Sequence, residues 1–385
     1  MHASAGVKMI FPVKRKPTVS REEFIAYWFA HHMPVTIEAM GDRGWGYDGV
    51  DVYAPHHAYG GPVGLKRLVD ACHSRGLGVI LDVVYNHFGP EGNYLGEFGP
   101  YFSKDYSTPW GPAVNLVEPW CDEVRRFCLD SALAWLRDYH ADGLRVDGVH
   151  ALVDTSAVHL MEQLSTEVET LSAREGRHLF VIAESDRNDP RLILPRDTGG
   201  YGVDAQWSGD FHHVLHVLLT GEREGYYVDY DGLAQLAKAF RQSFIYDNRF
   251  SKYRKRRFGR RPVGVSGHQF VTFLQNHDQV GNRARGERIS HLSGERRQMV
   301  GAGLLFASPF VPLIFQGEEW AAGTPFQYFT DYQDEDTGRG VREGRRREFA
   351  SFGWDPGEIP DPQAEETFLR SKLDWDETER EPHTR

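Results

Sequence analysis

Apolar residues along the chain fall into two spacings. Short continuous runs end in a polar or charged residue: LGVILD (77–82), DGLRVD (142–147), LFVIAE (179–184), VDAQW (203–207), QFVTFLQN (269–276) and VPLIFQG (311–317). Each has strand length and reads as a buried β-strand. Between them, apolar residues recur three and four positions apart. Residues 64–75 carry Leu65, Leu68, Val69 and Cys72, and residues 122–139 carry Val124, Phe127, Cys128, Ala132, Trp135 and Leu136. Residues 156–171 and 230–244 repeat the pattern, so four helices are expected. Strands alternating with helices predict an α/β fold, a parallel sheet with helices packed outside it. In a β/α barrel the polar residues that close each strand converge at the end that holds the active site. A doubly wound sheet is the competing architecture, but no GxGxxG turn follows the first strand.

Composition narrows the class. The chain has 385 residues, 40% hydrophobic and 26% charged, enough for a sizeable core. A net charge of −11 argues against a nucleic-acid partner and suits a neutral or cationic substrate. Three cysteines, Cys72, Cys121 and Cys128, make neither a disulfide framework nor a metal-type CxxC pair. The start lacks an apolar signal region, and the apolar stretch 301–315 is too short to span a bilayer. A soluble cytoplasmic chain with no membrane partner is expected.

Three acids stand out, Asp147, Glu184 and Asp278, because each follows an apolar strand. A single acid there is commonly a helix cap. Three together, with Arg145 two residues before Asp147 and His277 before Asp278, point to chemistry. Alternation along a strand puts Arg145 and Asp147 on one face, where the arginine would keep the carboxylate charged. Glu184 follows LFVIA, and burial there would favour its protonated form.

The segments DVVYNH (82–87), GLRVDGVH (143–150), VIAES (181–185) and LQNHDQVG (274–281) resemble the four ordered signature regions of the α-amylase family, glycoside hydrolase family 13. The resemblance runs from about residue 41 onward. Its flanking text is similar to the members that cut the α-1,4 bond beside a terminal trehalose and release trehalose. It implies a (β/α)8 TIM-type barrel and a retaining hydrolase with a maltooligosaccharide substrate. It implies Asp147 as nucleophile, Glu184 as general acid/base and Asp278 as the carboxylate that grips sugar hydroxyls. Tyr47, Asp82, His87, Arg145 and His277 would line the ring-binding subsite, with Asn86 supporting the loop. Two carboxyl groups ~5 Å apart suffice for this reaction, and neither a metal nor a cofactor is required. An inactive, glucan-binding fragment and a branching or α-amylase-type enzyme are the alternatives.

The resemblance leaves both ends unmatched. Family members carry an N-terminal β-sandwich and two barrel strands before WGYDG, where this sequence has about 40 residues. They also continue past SKLDW (371–375). An incomplete barrel over 41–385 is therefore expected. Residues 1–40 resemble instead the opening of an EthD-type domain, a short α+β segment with a strand at 7–14 and a helix capped by Ser20. That segment is expected to stand in for the missing first strands.

Other signals have plainer readings. Trp110, Trp207, Trp320, Phe326 and Tyr328 could stack on sugars, though core packing is the default for aromatics. The pairs His31–His32, His56–His57 and His212–His213 lack the spacing of a metal site. The run KYRKRRFGRR (252–261) reads as a solvated loop, and Asp204 and Asp210 as loop caps or substrate contacts.

Overall fold

The computed structural model describes residues 9–10, 47–57, 60–349, 354–355, 357 and 359–380. They fall into two compact units: Met1–Ser185 with Arg191–Gln206, and Asp186–Pro190 with Trp207–Arg385. The helix expected after Ser20 lies outside the described residues.

The first unit carries the strands β1 (Met9–Ile10), β2 (Ile80–Val83), β5 (Gly143–Val146), β6 (Phe180–Ala183) and β7 (Ala205–Trp207, whose last residue begins the second unit), in that spatial order. From β2 to β7 the pairing is parallel, as the alternation with helices requires. Register sets the site: Asp82 stands opposite Arg145, and Val146 opposite Ala183. The helices are α1 (Gly61–His73), α2 (Cys121–Asp138) and α3 (Leu160–Glu175). Their predicted stripes are the buried faces. Leu65, Val69 and Cys72 are buried on α1, and Val124, Cys128, Ala132 and Leu136 on α2. α3 starts four residues later than expected, because Asp154 accepts the N–H groups of Ser156 and Leu160 and holds the intervening chain in a turn. It stops at Gly176, whose φ of 61° ends the helix in the left-handed region. A small antiparallel hairpin, β3 (Phe102–Thr108) with β4 (Gly111–Val114), lies between β2 and α2 in sequence.

β1 does pair with β2, Met9 opposite Leu81 and Ile10 opposite Ile80, but it runs antiparallel. A strand of a β/α barrel would be parallel, so this pairing does not reproduce a first barrel strand.

The second unit contains the parallel pair β10 (Phe270–Phe273) and β11 (Val311–Leu313). Around it are α4 (Gly209–Thr220), α5 (Gly232–Gln242), α6 (His277–Gly281), α7 (Glu295–Phe306), α8 (Glu335–Phe349) and α9 (Glu365–Ser371). α4 is buried on most sides and packs on α5, α7 and β10. The basic run forms much of an antiparallel hairpin, β8 (Asp247–Ser251) with β9 (Arg256–Gly259). Arg254 there lies over Phe258 and pairs with Asp186 at 3.0 Å. No described helix is long and apolar enough to cross a membrane.

Candidate active site

In the first unit the site is assembled around one guanidinium. Arg145 is fully buried on β5. Its Nη1 donates to Asp82 Oδ1 and Asp147 Oδ1, each at 2.7 Å, and to Tyr47 Oη at 3.3 Å. Its Nη2 is 3.7 Å from Glu184 Oε2. Burial opposes the charge on Arg145, but Asp82, Tyr47, Asp147 and Glu184 outweigh it and raise its pKa well above the usual arginine range. Tyr47 in turn donates to Asp82 Oδ2 at 2.8 Å.

The backbone fixes the two carboxylates on either side. Asp147 N–H donates to Val83 O, and Glu184 N–H to Val146 O, each at 2.9 Å. Both residues therefore extend the parallel ladder by one rung. Asn86 Nδ2 donates to the Asp147 carbonyl at 2.8 Å and to its Oδ2 at 3.1 Å. Gly148 N–H donates to Glu184 Oε2 at 2.8 Å. Gly148 has φ 50°, and a Cβ there would lie 2.6 Å from Asn86 Nδ2. Only glycine lets this turn close under the two acids. Asp147 and Glu184 keep partial access to solvent, while Asp82 is buried. Glu184 is thus held between a guanidinium and a backbone N–H rather than among apolar side chains alone.

His87 extends the cluster. Its Nδ1 donates to Asn86 Oδ1, and its Nε2 is 3.6 Å from Asp48 Oδ1. Trp110, half exposed, stacks on the His87 ring with centroids 5.2 Å apart. Six of the expected site residues, Tyr47, Asp82, His87, Arg145, Asp147 and Glu184, are thus brought together. Sequence reasoning missed Asp48 and Gly148, and it gave Asn86 a looser role. Asn86 and Gly148 lie inside quoted motifs, next to residues that were chosen.

His277 and Asp278 belong to the second unit. Asn276 caps α6, accepting the Gln279 N–H at 2.7 Å, so Asp278 falls in its first turn. His277 is buried with its Nε2 3.4 Å from Asp278 Oδ1, and Asp278 is well exposed. Trp207 meets the His277 ring edge-on. Of the other aromatics considered for sugar stacking, Trp207, Trp320 and Phe326 are buried. Tyr328 lies under the Arg345 guanidinium.

The remaining signals are structural. Buried Asp210 accepts from Tyr230, Asn188 and the N–H groups of Ile245 and Tyr246. Asp204 accepts from Val181 N–H. His212 is buried and His213 partly buried, and desolvation pushes the His213 pKa down to about 3. No described group of His, Cys, Asp or Glu is arranged to hold a metal ion. His31 and His32 lie outside the described residues.

The parallel strands, the helices between them and the acids at the strand ends are those of an α/β fold of the α-amylase type, a (β/α)8-class barrel. The family model for the alpha amylase catalytic domain matches residues 25–110. The chain is similar to malto-oligosyltrehalose trehalohydrolases. It is 52% identical to that of Arthrobacter ramosus, over 89% of this chain and 60% of the relative. It is 48% identical to that of Mycobacterium tuberculosis, over 93% and 62%, and 46% identical to that of Saccharolobus solfataricus, over 89% and 59%. A crystal structure of a Salmonella typhimurium protein assigned as an alpha amylase superposes with a TM-score of 0.81 at 42% identity. It covers 89% of this chain and 58% of that one. The chain spans about three-fifths of the length of the curated relatives it matches.

Proposed function

We propose that this chain is a retaining glycoside hydrolase that cleaves the α-1,4-glucosidic bond next to the terminal trehalose of a maltooligosyltrehalose and releases trehalose. The observation that carries the reading is the pair of carboxylates, Asp147 and Glu184, on adjacent strand ends about one buried arginine. The relatives' names supply the substrate.

In the proposed reaction Glu184 gives its proton to the glycosidic oxygen while an Asp147 oxygen attacks the anomeric carbon. The C–O bond breaks, trehalose leaves, and a glycosyl ester on Asp147 remains. Glu184, now a carboxylate, takes a proton from water, and the hydroxide oxygen displaces Asp147. Side chains and water supply every proton and electron pair. Arg145 donates to Asp147 Oδ1 and holds the nucleophile in place. Asp278 is assigned the carboxylate that holds sugar hydroxyls in the transition state. Tyr47, Asp82, His87, Arg145 and His277 are assigned to the ring subsite, with Trp110 as the exposed ring on which a sugar can stack.

The reading places the reaction in the cytoplasm, where free cysteines persist, with a neutral α-glucan as partner and neither nucleic acid nor membrane. It takes residues 41–385 as the catalytic part and 1–40 as a separate EthD-like segment, so the chain begun at Gly41 should keep the activity. The main test is trehalose release from maltotriosyltrehalose. The expected result is release by the parent and none by Asp147→Asn. Glucan cleavage without trehalose would overturn the substrate assignment, and an equally active Asp147→Asn the nucleophile.

A further inference from the structure

α6 is five residues long, too short to hold itself, since an isolated helix needs more than about a dozen residues to be even marginally stable in water. Its position must come from outside. Two arginines supply it at the C-terminal end, where carbonyls lack helical partners. Arg345, from α8, donates Nη2 to the Gly281 carbonyl and Nη1 to Asn282 Oδ1, each at 2.8 Å. Its guanidinium is braced over the Tyr328 ring, 4.3 Å from the centroid. Arg283, two residues past the helix, makes a two-pronged pair with Glu222, Nη1 to Oε2 and Nη2 to Oε1, both at 2.8 Å. His216, buried on α4, holds the same carboxylate through Nε2 at 2.7 Å. Arg283 is itself nearly buried. His216 and Arg283 lower the Glu222 pKa to about 2 against the opposing effect of burial, so the pair stays charged at neutral pH.

From this geometry we infer that Arg283, with Glu222 and His216, and Arg345 are positioning residues that set the placement of Asp278 for catalysis. The inference rests on the role given to Asp278 above. An arginine is needed at both places because its planar fork makes two directed bonds, which a lysine cannot. A carboxylate that works in the transition state is sensitive to placement, and a shift of ~1 Å can cost roughly 10²-fold in rate.

Arg283→Lys, Arg345→Lys and Glu222→Gln would be compared with the parent on maltotriosyltrehalose, with thermal unfolding and amide hydrogen exchange measured alongside. The expected result is a fall in kcat of tenfold or more with KM changed less than threefold. The Asn282 and Arg283 amides, which close the turn on Asp278 and Val280, should exchange faster. The double variant Arg283→Lys/Glu222→Gln should be no slower than the worse single one, because one device is removed once. Variants with lowered unfolding temperature but unchanged kcat would overturn the inference and leave a purely structural pair. If the parent released no trehalose, the functional reading would fail separately. Unchanged exchange at Asn282 and Arg283 would then still overturn the placement.

Discussion

At Arg145 burial alone would remove the charge of a base, and the surrounding oxygens restore it. That balance makes the residue hard to replace. Arg145→Lys keeps a charge but loses the second guanidinium nitrogen, Nη2, which faces Glu184 at 3.7 Å while Nη1 holds Asp82, Asp147 and Tyr47. The expected result is a loss of kcat on the order of 10²-fold or more with the chain still folded, checked by kinetics and circular dichroism. Glu318 shows the opposite balance. It is buried, accepts the Phe315 N–H, and burial pushes its pKa up to about 8. Between the ordinary carboxylate range and about 8 the unfolded chain has released this proton and the folded chain retains it. Its contribution therefore falls as pH rises through that window. Glu318→Gln should flatten the decline, read as a smaller difference in urea midpoint between pH 5 and pH 8 than the parent shows.

At the level of elements, glycine positions decide what fits. A Cβ on Gly143 would lie 2.6 Å from the Phe180 ring, across the β5–β6 pair. Gly143→Ala should cost about 1–3 kcal/mol of stability by overpacking. Gly148→Ala should cost about 1–3 kcal/mol as well, because the residue is forced to positive φ, and should also push Asn86 off Asp147. Activity should therefore drop further than stability, a split that kcat and thermal unfolding together would reveal. All six strands expected from the apolar runs are present, within about four residues at their ends, because burial on both faces leaves a continuous apolar signature. The four amphipathic helices were legible for the same kind of reason. α4 was not, since it is buried nearly all round and shows no stripe. α8 was not, because RGVREGRRREF offers almost no apolar face. The hairpins are short and polar, and their pairing is set by turns. Within the site, the acids and Arg145 were legible from position. Asp48, Gly148, Arg283 and Arg345 were not, because each acts through a partner distant in sequence or through its backbone.

Across the whole molecule, charge is the property with the widest reach. The chain carries −11, yet the proposed substrate is neutral, so steering contributes nothing and kcat/KM should change less than about twofold between 50 and 500 mM NaCl. The second unit also holds His212, His213 and His216, whose pKa values desolvation lowers. Below the ordinary histidine range the unfolded chain takes up protons that the folded unit refuses, so stability is lost as pH falls through about 6.5. With Glu318 acting on the alkaline side, the parent should be most stable between pH 6 and 7 by roughly the meeting of these two windows. Asp147 and Glu184, finally, are each fastened by their own amide to the neighbouring strand. The catalytic pair is therefore part of the sheet's weave, and a thread pulled from β2 or β5 pulls an acid with it. Wear at high temperature should show as no slow fading of activity ahead of unfolding. The catalyst and the fabric that bears it should fail in one event.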